Sequence, residues 1–108
     1  EGDLVVAGEK ITPEIITFMA TKARGLICAP CDASIAKKLH LLPMVAEMDD
    51  NLCPFTVSLD AREGISTGIS SADRSHTIHL LTQKDITPHD FVRPGHIFPL
   101  KAKTGGVL

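Results

Sequence analysis

Arg93-Pro94-Gly95-His96-Ile97-Phe98-Pro99-Leu100-Lys101 puts a cation, a rigid corner, a glycine and an imidazole ahead of a short apolar run that reads as a strand. Pro94 fixes φ and steers Arg93 out of the helical region. Gly95 permits a tight bend or a close approach by a ligand. His96 then stands at the mouth of the strand, where a side chain can be held rigidly beside a cleft. Histidine is the one side chain whose ordinary pKa lets it give or take a proton near neutrality. The stretch therefore has two readings. One is a proton-transfer group at a cleft; the other is a turn with a solvated histidine and an arginine that caps something. Four residues do not choose between them.

Upstream, Thr87-Pro88-His89-Asp90 is a helix start, with a hydroxyl cap followed by Pro. Thr67-Gly68-Ile69-Ser70-Ser71-Ala72-Asp73-Arg74 follows a predicted strand. Ser70 and Asp73 have the spacing of a capping box, and Ile78 and Leu81 give the following helix a thin apolar stripe. A strand, a Gly bend and a helix N-terminus make an anion-friendly corner, with the Thr67 hydroxyl placed at it. The plainer reading makes Thr67 and Gly68 turn chemistry and pairs Arg74 with a surface acid. Phe55-Thr56-Val57-Ser58-Leu59 alternates with period two, a half-buried strand that turns at Glu63-Gly64.

Nearer the start, Leu4 to Ala7 reads as a strand and Leu26 to Cys28 as another. Between them Thr12-Pro13-Glu14 opens a helix carrying Ile15, Ile16, Met19 and Ala23, which Gly25 stops. Asp32 to Leu39 is a short helix. Glu47 to Asn51 is an acidic loop able to hold a hard cation such as Mg2+, although such loops are more often simply solvated. Gly105-Gly106 marks a sharp turn. Strands and helices alternate early and less regularly later, which predicts an α+β (α/β-like) fold: one domain, 1–108, with a mixed sheet flanked by helices.

Composition narrows the function classes. In 108 residues, 44% are hydrophobic and 22% charged, as in ordinary globular domains. The net charge of −2 leaves no footprint for nucleic acid. No window approaches the ~18 continuous apolar residues of a membrane helix, and no signal-peptide pattern opens the chain. Dinucleotide, Walker and nucleophile-elbow glycine motifs are absent. Three cysteines, an odd number, fit a reducing, intracellular compartment better than a disulfide framework, and a cytoplasmic location is the expectation. Cys28-Ala29-Pro30-Cys31 leaves three readings open: half-buried structural thiols, part of a zinc site with Cys53, or a redox pair.

Several stretches together resemble one family. Glu1-Gly2-Asp3-Leu4, Arg24-Gly25-Leu26-Ile27-Cys28, Pro43-Met44-Val45 and Phe55-Thr56-Val57 are similar to motifs of 3,4-dihydroxy-2-butanone 4-phosphate synthase. So are Asp60-Ala61-Arg62-Glu63-Gly64, Thr67-Gly68-Ile69-Ser70 with Ala72-Asp73-Arg74, Arg93-Pro94-Gly95-His96 and Gly105-Gly106-Val107-Leu108. They run in the family's order across nearly the whole chain. The resemblance implies a lyase of riboflavin biosynthesis that converts D-ribulose 5-phosphate to formate and L-3,4-dihydroxy-2-butanone 4-phosphate. It implies Mg2+ or Mn2+ and a homodimer. By matched position, His96 is the catalytic candidate, and Asp3, Glu1, Cys28 and Thr67 are the substrate-binding candidates.

The departures are as specific. The family's acidic loop begins before Glu1 with an Arg and a metal-binding Glu, and the family continues past Leu108 into an Arg-x-Gly-His-Thr-Glu stretch that supplies phosphate and metal ligands. The segment from Val45 to Phe55 departs as well. The expectation is therefore a domain lacking the family's N-terminal and C-terminal segments. The cation's ligands then lie outside this chain, and these 108 residues do not turn over substrate alone. The alternative is a non-catalytic binding or dimerisation module that keeps the fold.

Overall fold

Phe91–Lys101 forms a strand of eleven residues, β3, in the middle of a three-stranded mixed sheet. The structure, a computed structural model, describes residues 2–46 and 53–103. β1 (Cys28–Cys31) lies parallel to β3, with Cys28 opposite Phe98 and Cys31 opposite Lys101. β2 (Leu59–Ala61) lies antiparallel along the other edge, giving the order β1-β3-β2. The helices are α1 (Pro13–Phe18), α2 (Ala33–Lys38) and α3 (Ser71–Leu81). This is the α+β arrangement with a mixed sheet that the sequence predicts.

The helix starts follow from local chemistry. Thr12, Asp32 and Ser70 each accept a backbone N–H three residues on with a side-chain oxygen, at 3.2, 2.9 and 3.0 Å. Each capping bond satisfies one amide that the first helical turn leaves without a partner. α1 passes into a wider π turn, Met19–Ala23, and the reversal falls on Arg24 (φ 58°) before Gly25 (φ 82°). Two residues after α2 the chain reverses at His40, in the left-handed region at φ 54°. The Arg93 guanidinium donates to the carbonyls of Leu39 and His40. It is thus the arginine that caps something, a cation at a helix C-terminus. The core gathers Ile16, Leu39, Leu59, Ile78, Phe91 and Ile97, so α3 contributes through its apolar stripe.

Three strand expectations need correcting. Leu4 to Ala7 is not a strand: it runs irregularly into a 3-10 turn at Gly8–Lys10, with Leu4 and Val5 exposed. Among the described residues it pairs with none of β1, β2 or β3. β1 begins at Cys28 rather than Leu26, because its partner residues on β3 are Phe98 to Lys101. Phe55 to Leu59 makes only isolated bridges, Phe55 to Leu100 and Thr56 to Pro43, and the ladder itself runs from Leu59 to Ala61. The acidic loop Glu47 to Asn51 and the Gly105-Gly106 turn lie outside the described residues.

Candidate active site

β2 and β3 pair in two registers. Leu59 sits opposite Ile97, but the next residue, Asp60, sits opposite Val92. Residues 93–96 are therefore looped out of the ladder, with the Arg93–Pro94 peptide in cis. The bend expected at Arg93-Pro94-Gly95-His96 is thus a bulge inside one long strand, a device that re-aims a side chain. Bulged residues lose their ladder partners, and their amides need other acceptors. The Gly95 amide donates to Ser58 Oγ at 3.0 Å, and the His96 amide donates to Asp60 Oδ1 at 2.7 Å. Gly95 lies flat on β2: a Cβ there would come within 2.1 Å of the Leu59 carbonyl carbon and 2.3 Å of the Asp60 nitrogen. The close approach made through this glycine is by backbone, not by a ligand.

The same carboxylate takes the ring. His96 Nδ1 lies 2.9 Å from Asp60 Oδ2. Asp60 is only 5% exposed, while 41% of the His96 side chain is open to solvent. Among the described residues no lysine or arginine pairs with Asp60, and no partner meets His96 Nε2. The arrangement is a buried carboxylate behind an imidazole whose outer nitrogen faces outward, suited to moving a proton.

Gly68 closes over this pair. At φ 99°, it leaves no room for a side chain: a Cβ would stand 2.2 Å from Asp60 Oδ2 and 2.8 Å from His96 Nδ1. Asp73 holds Gly68 there. Its Oδ2 accepts from the Gly68 amide at 2.9 Å, the Ser66 amide at 3.2 Å and the Ser66 hydroxyl at 2.8 Å. Those bonds, the Ser66 hydroxyl first and the Gly68 amide next, hold the Asp73 carboxyl below the usual carboxylate range against the opposing effect of burial. The capping box is accordingly half formed: Ser70 caps α3, but the Asp73 carboxylate turns to Ser66 and Gly68. The anion at the anion-friendly corner is the chain's own Asp73, and Thr67 sits exposed between its two partners.

A profile of the family described as 3,4-dihydroxy-2-butanone 4-phosphate synthase matches residues 1–108.

The chain belongs to the 3,4-dihydroxy-2-butanone 4-phosphate synthase family.

Among its relatives, the 3,4-dihydroxy-2-butanone 4-phosphate synthase of Helicobacter pylori is 59% identical over 109 residues, covering 100% of this chain and 31% of the relative. The riboflavin biosynthesis protein RibBA of Mycobacterium tuberculosis is 50% identical, covering 100% of this chain and 26% of the relative. A crystal structure of 3,4-dihydroxy-2-butanone 4-phosphate synthase in complex with two magnesium ions superposes with a TM-score of 0.87 at 41% identity, covering 94% of this chain and 48% of that one. The two-domain synthase RibBX of A. baumannii gives 0.85 at 42% identity, covering 94% and 30%. The chain thus spans about a third or less of the two curated relatives.

The residues matched to the family's site fall into two places. Asp3 and Cys28 line a cavity of about 660 Å3 together with Cys53, and neither His96 nor Thr67 lines it. Cys28 is the register partner of Phe98, two residues along β3 from His96. Glu1 lies outside the described residues. Burial, then Cys53 and Asp3, push the Cys28 thiol up. Burial, then Asp32, push Cys31 up to about 11. Both Cys-x-x-Cys thiols lie on β1 rather than at a helix start. Three residues apart on a strand they point to opposite faces, with Cα atoms roughly 10 Å apart, beyond disulfide reach. Among the described residues the two thiols therefore neither form a redox pair nor share a metal ion.

Among the described residues no group of three or more His, Cys, Asp or Glu side chains stands together as a metal site, so they do not by themselves fit a divalent cation. Among the described residues no helix is long and apolar enough to cross a membrane. Residue-by-residue reading of the sequence missed Ser58 and Asp60, the side chains that organise the bulge. The available signal was a carboxylate ending an otherwise apolar and hydroxyl-bearing strand, where a buried charge needs a partner.

Proposed function

We propose that the whole protein carrying this chain is a 3,4-dihydroxy-2-butanone 4-phosphate synthase, a lyase converting D-ribulose 5-phosphate to formate and L-3,4-dihydroxy-2-butanone 4-phosphate in riboflavin biosynthesis. The observation that carries this reading is the match of the family profile to all 108 residues, with a partly exposed His96 held by a buried carboxylate. In this reading His96 gives and takes protons on the substrate through its outward nitrogen, the acid–base work an enediol intermediate requires. Asp3 and Cys28 bind substrate from the neighbouring cavity, joined by Thr67 and Glu1. Mg2+ or Mn2+ is the proposed cofactor, supported by the related synthase solved with two magnesium ions, and its ligands are drawn from beyond the described residues. A cytoplasmic homodimer completes the proposal.

The test is formate release from ribulose 5-phosphate by the full-length protein with Mg2+. Release that stops on adding a chelator and returns with Mg2+ or Mn2+ is expected. No formate with either cation would sink the reading.

A further inference from the structure

We infer that Asp60 is a positioning residue: its carboxylate holds His96 as the Nδ1–H tautomer, leaving Nε2 as the nitrogen that exchanges protons. The role in turnover rests on the reaction proposed above; the tautomer does not. Oδ1 takes the His96 backbone amide at 2.7 Å, which is always a donor. A carboxylate so engaged has only lone pairs to offer on Oδ2, so the ring nitrogen 2.9 Å away carries the proton. The tautomer of an imidazole is set by the bond its inner nitrogen makes. Fixing both the amide and the ring to one carboxylate also fixes the ring's rotation.

Two further observations separate this from an ordinary structural pair. Asp60 has no competing lysine or arginine among the described residues, so its orientation is spent on His96. Gly68 covers the contact without a side chain, anchored by Asp73. Together they leave the Asp60–Nδ1 contact enclosed and Nε2 facing out.

The substitution that separates the roles is Asp60→Asn, nearly the same shape. The His96 amide would keep the Asn carbonyl, which turns the Asn NH2 toward Nδ1. Nδ1 must then accept, and the proton moves to Nε2. The test uses full-length protein with nitrogen-15 histidine ring spectra followed upward in pH to the plateau where they stop changing and the ring is neutral. Wild-type His96 should show a protonated Nδ1 and a bare Nε2, and Asp60→Asn should reverse them. Alongside, kcat should fall about a hundredfold or more with KM within about threefold. A wild-type His96 protonated on Nε2 would overturn the inference, and this measurement stands even where the variant fails to fold. A variant whose tautomer reverses while kcat stays within about threefold would equally overturn Nε2 as the working atom. Wild-type protein that releases no formate refutes the reaction reading instead, with the ring spectrum still deciding the tautomer.

Discussion

Asp60 holds His96 at two points, the backbone amide at 2.7 Å and ring Nδ1 at 2.9 Å, and reaches both because residues 93–96 are looped out of the β2–β3 ladder. Removing the imidazole therefore does two separable things: it removes the proton-transfer group, and it strips one partner from a buried carboxylate. His96→Ala does both, and His96→Asn keeps an N–H near the Nδ1 position. Both variants should lose formate release by about 10²- to 10⁴-fold. Asn should be the more stable in urea by about 1–2 kcal/mol, the cost of an unsatisfied buried acceptor. A near-normal rate in His96→Asn refutes the acid–base role.

Three glycines give a graded test of the packing around this pair. At Gly95 a Cβ meets backbone, the Leu59 carbonyl carbon at 2.1 Å, and a strand backbone cannot step aside. Gly95→Ala should cost about 3 kcal/mol or more, or prevent folding. At Gly68 the obstructing atoms are the tips of Asp60 and His96, which can move, and φ is 99°. Gly68→Ala should fold at a cost of about 1–3 kcal/mol and lose rate by displacing the pair. Gly25, at φ 82° with nothing within 4 Å, is the control, at about 1–2 kcal/mol with rate unchanged. Urea midpoints and formate rates on the three variants check the order; wild-type stability and rate in Gly68→Ala would break it.

What was legible in the sequence was chiefly local. Thr12, Asp32 and Ser70 cap helices because a hydroxyl or carboxylate three residues ahead of an amide is short-range chemistry. Leu4 to Ala7 had the composition of a strand, but strands need a neighbour, and which edges are free is a property of the whole fold. The same limit hid the site. Arg93-Pro94-Gly95-His96 announced a bend, yet the partner of that bend lies 36 residues away at Asp60. Asp73 was readable as a helix-start acid but not as the anchor of Gly68, since its carboxylate could satisfy either end of the same turn. Recognising His96 as a candidate came from eight stretches in family order; what positions it came from the fold.

Asp73 also makes acid sensitivity specific. Its folded pKa lies below the ordinary value because Ser66 and Gly68 donate to the ionised form. A depressed pKa stabilises the fold above the unfolded value, roughly pH 4. That contribution is lost as pH falls through the folded value. Asp73→Asn keeps an acceptor but removes the charge. The gap in melting temperature between wild type and Asp73→Asn should therefore be widest near neutrality and shrink below about pH 4. Melting curves across the acid range check this, and a gap independent of pH counts against it.

Cys31 works in the opposite direction. Burial and the neighbouring Asp32 raise its thiol from an ordinary value of 9.0 to about 11. The unfolded chain ionises this thiol first, so its contribution is fully present below about pH 9 and is lost as pH rises toward 11. The gap between wild type and Cys31→Ala should narrow over that window. Thiol chemistry offers a second measurement, because the thiolate is the reacting species and must also be reached. Cys53 is exposed, Cys28 partly covered and Cys31 buried. Iodoacetamide near pH 8 should therefore modify Cys53 first, Cys28 more slowly because its thiol is also raised, and Cys31 last. Peptide mapping of a time course resolves the three. Modification of Cys31 as fast as Cys53 would mean that β1 opens far more readily than its place beside β3 allows.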